Sequence, residues 1–282
     1  MFVTLKNTLN RILRRFGYEV VRTRRSGALG STGSAGPAPV AGDDLLLRAP
    51  VFLLSPVRSG STLLRMILDS HPDLHAPHEL HLRDLKVDLS TDYVARAMAE
   101  LGLDARELQL LLWDRVLHYE LTRSGKTIIV NKTPNDVFMW RRIAGCWPDA
   151  RFVFLLRHPG DVVASWWKAR RHYSEKEVVE SILRYATAVE EARTELPGAT
   201  IRYEDLLADP EAETKKLCEF LGVEWKPEML EYGQAKERSF KAGLGDWSRR
   251  IRSGRVEPRQ ITSHADIPEP LMKIAKSWGY IP

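Results

Sequence analysis

Val51-Phe52-Leu53-Leu54-Ser55-Pro56-Val57-Arg58-Ser59-Gly60-Ser61-Thr62 is the stretch that decides the fold. A short run that is apolar at every position reads as a strand buried on both faces, and the pattern from about Thr62 to Ser70, stopping before His71-Pro72, reads as a helix. In a strand, loop and helix of this kind the backbone N–H groups of Ser55 to Gly60 and the positive end of the helix converge on an anion. Ser61 and Thr62 add hydroxyl donors, and Arg58 adds a planar fork that matches phosphate or sulfate oxygens. The spacing is close to the phosphate loop G-x-x-x-x-G-K-[ST], but Ser55 stands in place of the first Gly and Ser61 in place of the Lys. Lacking that Lys, the loop is poorly equipped for the β and γ phosphates of ATP, which makes a nucleotide kinase the weaker alternative. The plain structural alternative is an ordinary turn with a surface arginine.

Outward from this loop, short apolar runs alternate with longer amphipathic stretches, the βαβ rhythm of a parallel sheet covered by helices on both sides. Strands are expected at Thr127–Val130, Arg151–Leu156 and Ala199–Tyr203, and helices within 91–122, from about Asp161, over about Glu175 to Leu196 and over about Glu211 to Leu221. The strand Arg151–Leu156 ends in Arg157-His158-Pro159-Gly160-Asp161 and feeds a helix carrying Ser165-Trp166-Trp167. Strand ends are where open α/β sheets present ligand groups, so Arg157 and Ser165 form a second candidate anion site on the same sheet. Taken alone, an arginine ending a strand is also a common solvated terminus.

The formal net charge of +5 does not describe the whole chain. Residues 1–25 carry seven basic side chains against Glu19, a net of +6, and the remaining residues sum to −1. The basicity belongs to a tail, which argues against nucleic acid as a partner. In that tail Phe2, Leu5, Leu9, Ile12, Leu13, Phe16 and Val20 recur at spacings of three and four, an amphipathic basic helix that suits either an anionic membrane surface or a docking face on protein. Residues 26–48 are rich in Gly, Ser, Ala and Pro and read as a flexible linker, leaving 49–282 as the main domain. No run of about 18 apolar residues is present and no signal-peptide cleavage pattern opens the chain, so a cytoplasmic protein, peripheral at the inner membrane surface through residues 1–25, is expected. Cys146 and Cys218 are too few and too far apart for a disulfide framework or a zinc site.

Pro56-Val57-Arg58-Ser59-Gly60-Ser61-Thr62-Leu63 resembles the 5'-phosphosulfate loop of sulfotransferases, and most closely that of the bacterial and tyrosylprotein branches, which carry Arg where cytosolic enzymes carry Lys. The resemblance continues through His71-Pro72-Asp73-Leu74-His75 and Glu79, and covers most of residues 50–282 in motif order. It implies a three-layer α/β/α fold of the P-loop-NTPase type, here preceded by the amphipathic helix. It also implies a donor, 3'-phosphoadenosine 5'-phosphosulfate, held by Arg58, Ser59, Gly60, Ser61, Thr62 and Leu63 at its 5' side and by Arg157 and Ser165 at its 3' phosphate. Tyr203 resembles a tyrosine that contacts the nucleotide in the family, although a strand-end Tyr capping the core fits equally. Lys241 and Gly243, in Ser239-Phe240-Lys241-Ala242-Gly243, resemble a closing loop but depart from its Arg-Lys-Gly form in cytosolic members.

Lys132, in Asn131-Lys132-Thr133-Pro134, matches the family's catalytic lysine and would stabilise charge on the bridging oxygen of the leaving phosphate. A base for the acceptor is expected at Glu79 first and His81 second, and Arg58 is expected as a catalytic cation beside Lys132. His75 and His78 read as pocket-mouth residues. The resemblance implies no metal and leaves the acceptor open among small molecule, glycan, lipid and peptide. Trp113, Tyr119, Trp166, Trp167 and Tyr173 are candidates to line its pocket, although aromatics at such spacing are more often core. A non-catalytic membrane-associated binding protein is the remaining alternative.

Overall fold

Among the described residues the sheet has five short strands: β1 (Val51–Leu54), β2 (Leu74–His75), β3 (Ile128–Asn131), β4 (Arg151–Leu156) and β5 (Gly198–Arg202). In this computed structural model they form one sheet in the order β2-β3-β1-β4-β5, and every neighbouring pair is parallel. The structure describes residues 45–169, 172–235, 254–256, 258 and 265–282. The expected basic helix, nearly all of the linker, Lys241 and Gly243 lie outside the described residues.

Side chains alternate along each strand and so sort the core into two layers. Phe52, Leu54, Phe152, Phe154 and Leu156 face helices α3 (Ala105–Ser124), α4 (Trp140–Cys146) and α6 (Glu175–Glu195) together with the C-terminal helix α9 (Met272–Ser277). Val51, Leu53, Val130, Val153, Leu155 and Ile201 face helices α1 (Ser61–Asp69), α7 (Tyr203–Ala208) and α8 (Pro210–Leu221). Helix, sheet and helix make the three layers expected. Leu45 and Leu47 are buried in the first layer, and the N–H groups of Leu46 and Leu47 donate to Asp114 at 2.7 and 3.1 Å. Among the described residues, packing into the body thus already includes Leu45 and Leu47.

The pattern expected as one long helix within 91–122 divides into α2 (Asp92–Glu100) and α3. Gly102 sits at φ 75°, and Asp104 caps α3 reciprocally with Glu107. A left-handed glycine followed by a capping box stops one helix and starts the next. Helix α5 (Pro159–Ala169) follows β4 directly, and β5 ends one residue early because Tyr203 opens α7.

Parallel pairing has one consequence for function. All five strands point the same way, so the segments after them gather at one edge of the sheet. Ser55 to Gly60 follows β1, Ala76 to His81 follows β2, Lys132 follows β3, Arg157 follows β4 and Tyr203 follows β5. The crevice outside the carboxyl ends of the strands is where open α/β folds bind ligands.

Candidate active site

The loop after β1 is held in an uncommon backbone form. Arg58 sits at φ 65° and Gly60 at φ 90°, two left-handed residues in three. Such conformations cost of order 1–3 kcal/mol for a residue with a side chain and persist at sites where the surroundings impose them. Gly60 is required twice over, by its φ and because a Cβ there would overlap the ring of Tyr203. Helix α1 then starts with no side-chain cap, leaving its first N–H groups directed at the crevice. Ser55 Oγ and Ser59 Oγ are buried with no hydrogen-bond partner among the described residues. Buried hydroxyls without partners are costly, and here they lie in a loop already shaped for an anion. The loop thus fits the 5' end of the expected donor.

Arg58 and Arg157, a hundred residues apart in the chain, meet at this point. Arg157 Nη1 donates to the carbonyl of Arg58 at 2.9 Å, while Arg58 Nε donates to Ser165 Oγ at 3.2 Å. The guanidinium of Arg157 lies 4.7 Å above the ring of Tyr203, whose face also covers Gly60. The two anion sites read separately in the sequence are therefore one contiguous basic surface, with Tyr203 packed between them. Ser165 bonds Arg58 directly, so Arg157 and Ser165 are bridged by the first loop.

On the other side of β1, Lys132 is buried to 1% exposure and its ammonium donates to Glu79 Oε1 at 2.5 Å. His81 Nε2 is 3.6 Å from Glu79 Oε2, so the lysine and both candidate bases share one cluster. The segment bearing Glu79 and His81 has no regular structure, and His81 N–H donates to Thr133 Oγ1 at 3.3 Å, tying it to the turn after β3. That turn is closed by Asn131 Nδ2 donating to Asp136 Oδ2 at 2.6 Å. Burial pushes the Asp136 carboxyl up to about 7, with Asn131 and Lys132 opposing that rise and the charges of Glu79 and Asp84 adding to it.

The remaining candidates sort by location. His75 is drawn inward between Asp69, at 3.3 Å, and Glu120, at 3.5 Å, in place of the pocket-mouth position expected. Trp113 is core, with its indole N–H donating to the carbonyl of Leu85 at 3.3 Å, and Tyr119 is exposed on α3 beside Arg123. Trp166 and Tyr173 line a shallow cavity of about 240 Å³ between α5 and α6 together with Arg184, whereas Trp167 faces outward. Sequence reasoning missed Asp136, Thr133 and two residues of α1, Arg65 and Asp69. Arg65 is 3% exposed and Asp69 8%. The available signal was a pair of charged residues four apart on the apolar helix α1, a spacing that places both on one face.

A family model described as "Sulfotransferase family" matches residues 50–227. An uncharacterized protein of Aquifex aeolicus is 26% identical over 208 residues, 67% of this chain and 27% of its own length. The nodulation protein NoeE of Sinorhizobium fredii is 30% identical over 125 residues, 40% of this chain and 30% of its own length. The chain thus spans less than a third of either relative. A putative protein-tyrosine sulfotransferase of Caenorhabditis briggsae is 24% identical over 195 residues, 64% of this chain and 68% of its own length. Among solved structures, the sulfotransferase domain from the curacin biosynthetic pathway superposes with a TM-score of 0.64 at 22% identity, covering 83% of this chain and 99% of that one. The sulfotransferase domain of the Synechococcus PCC 7002 olefin synthase does so at 0.60 and 24% identity, covering 84% and 98%. These two likenesses show the fold.

Proposed function

The chain belongs to the sulfotransferase family, and from that premise we propose that it moves a sulfuryl group from 3'-phosphoadenosine 5'-phosphosulfate to an acceptor hydroxyl or similar nucleophile, releasing adenosine 3',5'-bisphosphate. The observation that carries the donor assignment is the meeting of Arg58, Arg157 and Ser165 on one surface beside an uncapped helix N-terminus. A surface with two arginine forks suits a nucleotide charged at both its 5' and 3' positions better than one with a single polyphosphate. Ser61 in place of the Walker lysine points the same way.

In the proposed reaction the bond from sulfur to the bridging oxygen breaks as a bond from acceptor oxygen to sulfur forms. Lys132 faces charge growing on the bridging oxygen, and Arg58 faces the equatorial oxygens. The acceptor proton passes to a carboxylate oxygen of Glu79, with His81 beside it as the second candidate. Glu79 and Lys132 pair their charges at 2.5 Å. A lysine turned toward the donor leaves the carboxylate oxygens free to accept the proton of the acceptor.

The test is transfer of labelled sulfate from the donor to an extract of the cells that make the protein. Glu79→Gln is expected to abolish transfer while retaining affinity for adenosine 3',5'-bisphosphate, and His81→Asn to reduce it less. Wild-type transfer by Glu79→Gln would overturn the base assignment. Residues 1–25 are proposed to rest on an anionic membrane surface on the cytoplasmic side. Their deletion is expected to release the protein from vesicles containing phosphatidylglycerol and to leave transfer in solution intact.

A further inference from the structure

Helix α1 opens at the anion loop and ends with two buried charged residues that no step above uses. Arg65 Nη1 donates to the carbonyl of Ala76 at 2.8 Å, and the N–H of the same residue, Ala76, donates to Asp69 Oδ1 at 2.8 Å. One residue of the segment leading to Glu79 thus has both of its backbone groups taken by side chains from successive turns of one helix. The neighbours of Arg65 on α1 that enter the second core layer are Leu64, Met66, Ile67 and Leu68, and an apolar side chain at 65 would bury without the several kcal/mol that a guanidinium loses on leaving water. Burial accordingly pushes the Arg65 guanidinium down, while the charges of Asp69 and Glu79 offset that effect. Asp69 is in turn held by His75 at 3.3 Å and Lys126 at 3.7 Å.

The segment 76–81 has no ladder or helix of its own to fix it. Its far end is tied to Thr133 and its middle to Lys132, both on the turn after β3. The Ala76 clamp ties its near end to α1. We infer that Arg65 and Asp69 are positioning residues that set the place of Glu79 relative to the donor loop, because one rigid helix carries the loop at its start and the clamp along its length. This rests on Glu79 being the base. A misplacement of about 1 Å at a reacting group lowers a rate about a hundredfold without touching the binding of the other substrate.

The experiment compares full-length Arg65→Met, Arg65→Lys, Asp69→Asn and Glu79→Gln, each checked for folding by thermal unfolding. Affinity for adenosine 3',5'-bisphosphate is read by calorimetry and labelled-sulfate transfer by rate with the same cell extract. Arg65→Met is expected to hold donor-product affinity within about threefold of wild type and to lose about a hundredfold in transfer. Arg65→Lys, which keeps a cation and one donor for the Ala76 carbonyl, is expected to restore at least about tenfold of that loss. Should Arg65→Met fail to fold, Asp69→Asn carries the test, with transfer down about tenfold and affinity unchanged. A folded Arg65→Met or Asp69→Asn that transfers at the wild-type rate, or that loses affinity in step with rate, overturns the inference. Wild-type transfer by Glu79→Gln would instead overturn the base assignment. An inactive Glu79→Gln beside a fully active Arg65→Met removes the clamp's role alone.

Discussion

Ser59 and Gly60 show how far single residues of the loop are set for a ligand and not for the stability of the free protein. Ser59 Oγ is buried and without a hydrogen-bond partner among the described residues, so Ser59→Ala is expected to raise the unfolding free energy measured without nucleotide by about 1 kcal/mol. The same change should shrink the extra stabilisation given by adenosine 3',5'-bisphosphate, and calorimetric unfolding with and without the nucleotide reads both effects. Gly60→Ala acts in the opposite sense. A left-handed residue with a Cβ loses about 1–2 kcal/mol, and the methyl also meets the Tyr203 ring, so both stability and nucleotide affinity fall. Much of this loop was legible because its logic is local: an apolar run, a glycine and an arginine at fixed spacing. The contact of Tyr203 with Gly60 was not, because it depends on where β5 lies relative to β1, with β4 between them.

At the scale of elements, the turn from β3 into Pro134–Met139 carries the clearest pH dependence. The Asp136 carboxyl is pushed up to about 7 by burial, so the folded state binds its proton more tightly than the unfolded state does. Protons held by the folded state and not by the unfolded one make stability fall as pH rises between about 4 and 7. Asp136→Asn keeps an amide oxygen to accept from Asn131 and removes the titration. Urea unfolding at about pH 5 and about pH 8 is expected to show a smaller loss across that range in the variant than in wild type. An unchanged loss would place the dependence elsewhere. The sequence placed Lys132 at a strand end correctly but gave no reason to look at Asp136, since only the folded turn brings it to Asn131. The helices read more easily than their ends. Gly102 and Asp104 together carried the signal that divides α2 from α3, but the continuing apolar pattern on both sides concealed it.

Over the whole molecule, one architectural fact assembles the site. Five parallel strands deliver five segments to one edge, so residues as far apart as Arg58 and Arg157 become neighbours without any local preference for each other. By resemblance, the order of motifs along the chain implies that both serve one donor. Their direct contact, and the bridging of Arg58 to Ser165, required the strand order, which periodicity does not supply. The acceptor is less legible for the same physical reason: aromatic residues at helical spacing serve core and pocket alike, and here Trp113 took the first role while Trp166 and Tyr173 line a cavity. In the proposed function two arginines from two strand ends hold one nucleotide at two phosphates. Calorimetric titration of the wild type and Arg157→Ala with adenosine 3',5'-bisphosphate and with adenosine 5'-monophosphate tests it most directly. The wild type is expected to prefer the bisphosphate by at least about tenfold, a charge-assisted contact of about 1.5–3 kcal/mol, and Arg157→Ala to lose the preference. Equal affinities in the wild type, or tighter binding of magnesium ATP than of either nucleotide, would contradict it.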